Sequence, residues 1–130
     1  MIAVDTNVLV RLLVGDHDAQ TKAAEDLFAA ETIFVSTTVV LEAEWVLRSR
    51  YRWPAARVNS VLQRFSALEN VRFERAGGLA WALERHATGA DFADMLHIDA
   101  SRGSDAFVTF DKAAAAGAGP DTPTPVRLLA

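Results

Sequence analysis

Five acidic residues stand where apolar runs of this chain end or helical patterns begin: Asp5, Glu42, Asp91, Asp94 and Asp111. Asp5 closes the run Ile2-Ala3-Val4, and Asp111 closes Phe107-Val108-Thr109-Phe110 in the same way. A carboxylate at the carboxyl end of a buried strand sits where open α/β sheets keep their ligands. Each acid taken alone has an ordinary explanation. Asp5 can be a turn or cap residue, Glu42 can answer the helix dipole in a first turn, and Asp91 with Asp94 three residues on has the spacing of a capping box. Together they raise a different problem. Carboxylates about 4 Å apart repel by roughly 4 kcal/mol per pair at an effective dielectric near 20, so a group of them must protonate, spread out or hold a cation.

The rest of the composition narrows the choice of cation. The chain has no cysteine and only three histidines, His17, His86 and His97, which argues against a thiolate or histidine-rich zinc site. Hard oxygen ligands suit Mg2+ or Mn2+, which keep several waters and take one or two carboxylates directly. An ion held in this way can activate a water, orient it in line and neutralise phosphate charge, which is what phosphodiester hydrolysis needs. His97 shares a helix face with Asp94 and can touch substrate or pack, with packing the favoured expectation. His86 reads as a surface or capped histidine, and His17 as a loop residue.

The elements that must position these acids follow from periodicity and stop signals. Ile2 to Val4 forms a short strand, and Thr6 and Asn7 open a helix that Gly15 ends. Asp16 or Asp18 caps the next helix, which runs to about Ala30, and Thr32 to Ser36 is a second strand. Thr37 or Thr38 caps a third helix from about Val39 to Arg50, with Glu42 in its first turn. Pro54 opens an amphipathic helix carrying Val58, Val61, Leu62, Phe65 and Leu68. Val71 to Glu74 is a weaker strand, Ala76 to Thr88 a helix stopped by Gly89, and Asp91 starts a helix that ends near Gly103. Asp105 to Phe110, a short helix Lys112 to Ala116, a Gly/Pro-rich turn and a last strand Val126 to Leu129 complete the chain.

Strands therefore alternate with helices and no hairpin signal interrupts them. This order predicts an α/β fold, a three-layer α/β/α sandwich around a parallel sheet of four to five strands with right-handed crossovers, in one domain over residues 1–130. In that fold Asp5 and Asp111 leave the sheet at one edge, and helices starting there bring in Glu42 and Asp94.

The only basic segment, Arg48, Arg50, Tyr51, Arg52, Trp53 and Arg57, interleaves cations with aromatics. Such a segment can meet phosphates and stack bases, or it can be a solvated helix end. The net charge of -4 does not exclude a nucleic-acid partner, because the five acids above account for it and the remainder is close to neutral. The 130 residues suffice for one core, and 23% charged residues make disorder an unneeded assumption. Met1 leads straight into a strand without a signal-like segment, and no apolar run reaches membrane-spanning length, so the expectation is a soluble cytoplasmic protein.

The blocks VDTNVLVR, LEAEWVLRSRY, ADFADMLH and VTFDK, in this order, resemble the PIN-domain ribonucleases, and most of all the small toxins of VapBC-type toxin–antitoxin pairs. The resemblance covers essentially the whole chain. It implies a metal-dependent endoribonuclease that cuts structured RNA, such as transfer or ribosomal RNA loops, and so stops translation. It also implies a homodimer neutralised by a cognate VapB-type antitoxin. By position Asp5, Glu42 and Asp94 match the family's characteristic acids, with Asp5 and Asp94 expected on Mg2+ directly. Asp111 matches the more variable fourth acid, acting through water or on a second ion. Asp91 belongs to the ADFAD pattern of this branch, Asn7 and Thr109 are expected to orient carboxylates, and Arg48, Arg50 and Arg52 to contact RNA or antitoxin. A phosphatase of the haloacid-dehalogenase kind would need an acid two residues after Asp5, where Asn7 stands. The alternative from another class is a catalytically silent PIN-like module that binds RNA or protein, whose mark would be missing acids.

Overall fold

The structure, a computed structural model, describes residues 1–130 as two compact units, Met1–Ala76 and Gly77–Ala130. The first contains β1 (Ile2–Ala3), α1 (Thr6–Val14), α2 (Asp18–Ala30), β2 (Ile33–Val35), α3 (Thr37–Ser49), α4 (Ala55–Ser66) and β3 (Val71–Phe73). Its three strands form a parallel ladder in the order β1-β2-β3, with Ile2 opposite Ile33 and Ile33 opposite Val71. Ile33 and Val35 of the central strand are fully buried, as an apolar run flanked on both sides requires. β1 lies at the edge, and Ile2 and Ala3 are exposed although their apolar run predicts burial on both faces; only Val4 is buried. α1 packs on both α2 and α3 through Leu9 and Val10, while α4 turns Val58, Leu62 and Phe65 inward. The Phe65 ring meets Phe28 and Phe73 with centroids 6.0 and 6.3 Å away.

The second unit contains α5 (Ala76–Ala87, entered from the last residue of the first), α6 (Phe92–Ala100), β4 (Phe107–Thr109), α7 (Lys112–Ala118) and β5 (Val126–Leu128). β4 and β5 pair in parallel, Phe107 opposite Val126 and Thr109 opposite Leu128. Met95, Leu96 and Ile98 of α6 are buried, and the packing of α6 on α7 closes the core with Ala114 and Ala118. Arg85 Nε donates to the Gly117 carbonyl at 2.7 Å, placing a guanidinium at the carboxyl end of α7, where the helix dipole favours a cation. The same approach restricts Gly119, whose backbone has φ of 71° and where a Cβ would come within 2.9 Å of Arg85 Cζ. Thr124 is buried with its hydroxyl donating to the Ile98 carbonyl at 3.2 Å.

All five expected strands are present and parallel, and the fold is a helix-rich α/β one. They form two ladders of three and two strands rather than one continuous sheet of four to five. The strands are two or three residues long. β1 is short because Asp5 already serves as the N-cap of α1, with its backbone turned out of the strand. No helix is long and apolar enough to cross a membrane.

Candidate active site

In the first unit the acids are placed where β1 and α3 meet the start of α1. Asp5 is the N-cap of α1, and its Oδ1 accepts from the Val8 amide at 3.0 Å. Asp5 thus takes the cap role open to it in the sequence, and Thr6 and Asn7, also read there as opening the helix, are its first two residues and do not cap it. A cap needs extended backbone, and the strand end supplies it at Asp5, with φ -88° and ψ 177°. Capping uses one oxygen and leaves Oδ2 without a protein donor. Thr6 is buried, and its hydroxyl donates a hydrogen bond to Glu42 Oε1. Glu42 is exposed on the second turn of α3, not in its first. α3 begins at Thr37 because Ser36 is its cap, accepting from the Val39 amide, where Thr37 or Thr38 was expected. The dipole explanation of Glu42 therefore loses its basis.

Asp5, Thr6, Asn7, Glu42, Trp45 and Arg50 line one open cleft of about 410 Å³. Of the three candidate cations, Arg50 lines it, whereas Arg48 Nε donates to the buried Glu44 at 2.9 Å and Arg52 takes a left-handed backbone with φ of 57°. Arg57 stacks over Trp53 with its Cζ 3.8 Å from the ring centroid. Arg48 and Arg57 thus have partners within the basic segment's own surroundings, whereas Arg50 lines the cleft that holds the acids. Asn7 makes no bond to the Asp5 carboxylate; the residue that orients a carboxylate here is Thr6.

In the second unit Asp91 is the N-cap of α6, its Oδ1 accepting from the Asp94 amide at 2.9 Å. The reciprocal half of a capping box is absent, so the Asp94 carboxylate is not consumed in helix chemistry. Asp111 is the N-cap of α7, its Oδ1 accepting from Ala113 and Ala114 at 2.8 and 3.3 Å. Thr109 Oγ1 accepts from the Asp111 amide at 2.9 Å, so Thr109 fixes the Asp111 backbone rather than its carboxylate. Asp94 is half-buried, and its carboxyl is raised above 3.8 by burial first, then by the negative charges of Asp91 and Asp111, with His97 opposing them. The position of Asp94 in a first helical turn favours its charge by well under the cost of desolvation and two like charges, which is why the net direction is upward.

The histidines differ from expectation. His97 is exposed rather than packed, and acts on Asp94 through its charge. His86 is buried, 7% exposed, with its ring edge-on to Phe92 at 5.4 Å, so of the surface or capped positions expected the surface one does not hold; α5 buries it in the same stripe as Leu79, Ala82 and Leu83. His17, in its loop, caps α2 by accepting from the Gln20 amide at 3.1 Å, the role expected of Asp16 or Asp18. Asp16 is taken instead by Arg11 at 3.2 Å.

The donor chemistry suits a hard cation: every acid singled out offers oxygen, and Asp94 is held in an environment that a positive charge would relieve. Neither unit by itself gathers three Asp, Glu or His side chains closely enough for a cage of protein ligands. Residues 2–119 match the family model of the PIN domain. The chain belongs to the PIN-domain family. No curated protein and no solved structure matches it. PIN domains are generally nucleases and typically use divalent metal ions, so the family supports a nuclease. Two features of the cleft were not singled out in the sequence: the Thr6 hydroxyl on Glu42, and Trp45 in its lining. Burial of a threonine beside a strand-end acid is the signal for the first.

Proposed function

We propose that the chain is a Mg2+- or Mn2+-dependent endoribonuclease in which Asp5, Glu42, Asp94 and Asp111 serve the ion, Asp5 and Asp94 directly. The observation that carries this reading is Asp94, a half-buried carboxylate left free by helix capping and pushed toward protonation by burial, Asp91 and Asp111. A divalent ion, when bound, supplies the activated water and neutralises charge on the scissile phosphate. The chain's own residues prepare for that. Thr6 fixes the Glu42 carboxylate through Oε1 and leaves Oε2 for ligation, and the cap bonds hold Asp5 and Asp111 in single orientations through one oxygen each. No protein nucleophile is needed.

The finer reading is the toxin of a VapBC-type pair, cytoplasmic and homodimeric, held inactive by a VapB-type antitoxin and cutting loops of transfer or ribosomal RNA. Its support is the ordered set of blocks VDTNVLVR, LEAEWVLRSRY, ADFADMLH and VTFDK. Purified protein incubated with bulk RNA is expected to cleave it with Mg2+ or Mn2+, and EDTA or Asp5→Asn is expected to stop cleavage. Asparagine caps a helix as well as aspartate does, so loss of activity in that variant is not loss of α1. Undiminished cleavage by Asp5→Asn would overturn the metal mechanism. Growth arrest on expression, relieved by co-expressing any small reading frame found directly upstream of its gene, tests the toxin role; arrest with no such frame or no relief contradicts it.

A further inference from the structure

The three tryptophans stand in different surroundings. Trp53 lies under the Arg57 guanidinium, and the Trp81 indole nitrogen is buried. Trp45 is 51% exposed on α3, a helix that buries Val40, Ala43 and Leu47. An indole left in water forgoes the burial free energy that its large apolar surface would give. It is three residues beyond Glu42 and hence on the same side of the helix, and it lines the cleft that holds Asp5 and Glu42. Arg50, the C-cap of the same helix, lines that cleft too, and its guanidinium makes no ion pair. One cleft therefore carries carboxylates, a flat aromatic wall and an uncommitted cation.

We infer that Trp45 is the platform on which an unpaired base of the RNA stacks, with Arg50 holding a neighbouring phosphate. This rests on the ribonuclease reading above and adds to it a residue that positions substrate. The pattern fits a nucleotide better than an apolar peptide or a second copy of the chain. A nucleotide presents a π face to the indole and an anion to Arg50, whereas an apolar surface would cover the guanidinium without pairing it. Stacking on an exposed aromatic tolerates any base, so Trp45 sets how the strand lies in the cleft more than which sequence is cut.

The test uses Trp45→Leu, Trp45→Phe and Arg50→Gln. Affinity is measured with each placed in the Asp5→Asn background, on fluorescein-labelled single-stranded RNA dodecamers of randomised sequence. KM and kcat are measured on bulk RNA with Mn2+. Trp45→Leu is expected to weaken binding about tenfold and raise KM to match, with no change in the salt slope, while Trp45→Phe stays within about threefold. Arg50→Gln is expected to weaken binding and lower the slope of log affinity against log salt by about 0.7. The unfolding midpoints should be unchanged, since both side chains are exposed. Unaltered affinity in Trp45→Leu, equal losses in Leu and Phe, or a loss confined to kcat would overturn the platform while leaving the nuclease standing. Lost self-association with RNA affinity intact would assign the indole to a contact between copies and equally overturn it. Absence of any RNA cleavage by the unaltered protein, with stacking-dependent binding preserved, would instead remove the nuclease reading and keep the platform.

Discussion

In the first unit Glu42 is held by a neutral donor, the Thr6 hydroxyl, and the cleft it lines also carries Arg50. In the second unit Asp94 has the carboxylates of Asp91 and Asp111 for neighbours, opposed only by the exposed imidazole of His97. Both acids are spared from helix capping, while Asp5, Asp91 and Asp111 each give one oxygen to a cap. On the proposed reading, the difference separates two contributions to metal binding. A carboxylate fixed by a dipole is pre-oriented, and its loss of mobility is already complete before a ligand arrives. A carboxylate crowded by its own sign is instead short of positive charge, and an arriving cation relieves repulsion that the empty protein must carry.

The largest effect is expected from removing the crowded carboxylate. Asp94→Asn should lower kcat/KM for RNA by about 100-fold or more, on the order of the several kcal/mol that metal-ion catalysis supplies. It should also stabilise the metal-free protein, because an uncharged amide suffers no repulsion from Asp91 and Asp111. A variant that loses activity and stability together would mean that Asp94 is structural, and the contrast with Glu42 would fail.

The same repulsion has a pH signature. Below 3.8 Asp94 is protonated in both the folded and unfolded chain and contributes nothing. Between 3.8 and its raised native value the folded chain holds the extra proton, so stability falls as pH rises through that window, and above it the penalty is complete. Urea unfolding of the metal-free protein across this range should show that decline relative to Asp94→Asn; parallel curves for the two would contradict the assignment.

On the other side of the comparison, Thr6→Val removes the donor to Glu42 while keeping its volume. Activity is expected to fall about tenfold, the lower end of what lost outer partners of a metal ligand cost, and Thr6→Ser should recover most of it. The smallest effect separates capping from chemistry. Asp5→Ala should lose about 1 kcal/mol of stability as well as cleavage, whereas Asp5→Asn loses cleavage alone. Equal stability of the two would show that the Val8 amide bond contributes little.

Much of this arrangement was legible in the sequence. Apolar periodicity with Gly15, Pro54 and Gly89 as punctuation located the elements to within a few residues, and strand–helix alternation implied parallel pairing. Local competition was not legible. Asp5, Thr6 and Asn7 can all cap, as can Asp16, His17 and Asp18, or Ser36, Thr37 and Thr38, and the backbone where the preceding segment ends decides among them. One consequence was misplacing Glu42 by a turn. Nor could helical spacing decide which histidine goes inside: His86 is covered because Phe92, from the next helix, packs against it, and His97 is left outside. Strand lengths of two or three residues also hid the division into two ladders. The Thr6 bond to Glu42 spans 36 positions and has no local pattern to reveal it.

The central claim is that Asp94 sits in surplus negative charge that a divalent ion neutralises. Its side-chain carboxyl can be followed by 13C NMR as pH is varied, first with EDTA and then with saturating Mg2+, which is diamagnetic and leaves the resonance visible. The account expects a titration midpoint above 3.8 without metal and a clear downward move when Mg2+ is present. A midpoint that Mg2+ leaves where it was would contradict it.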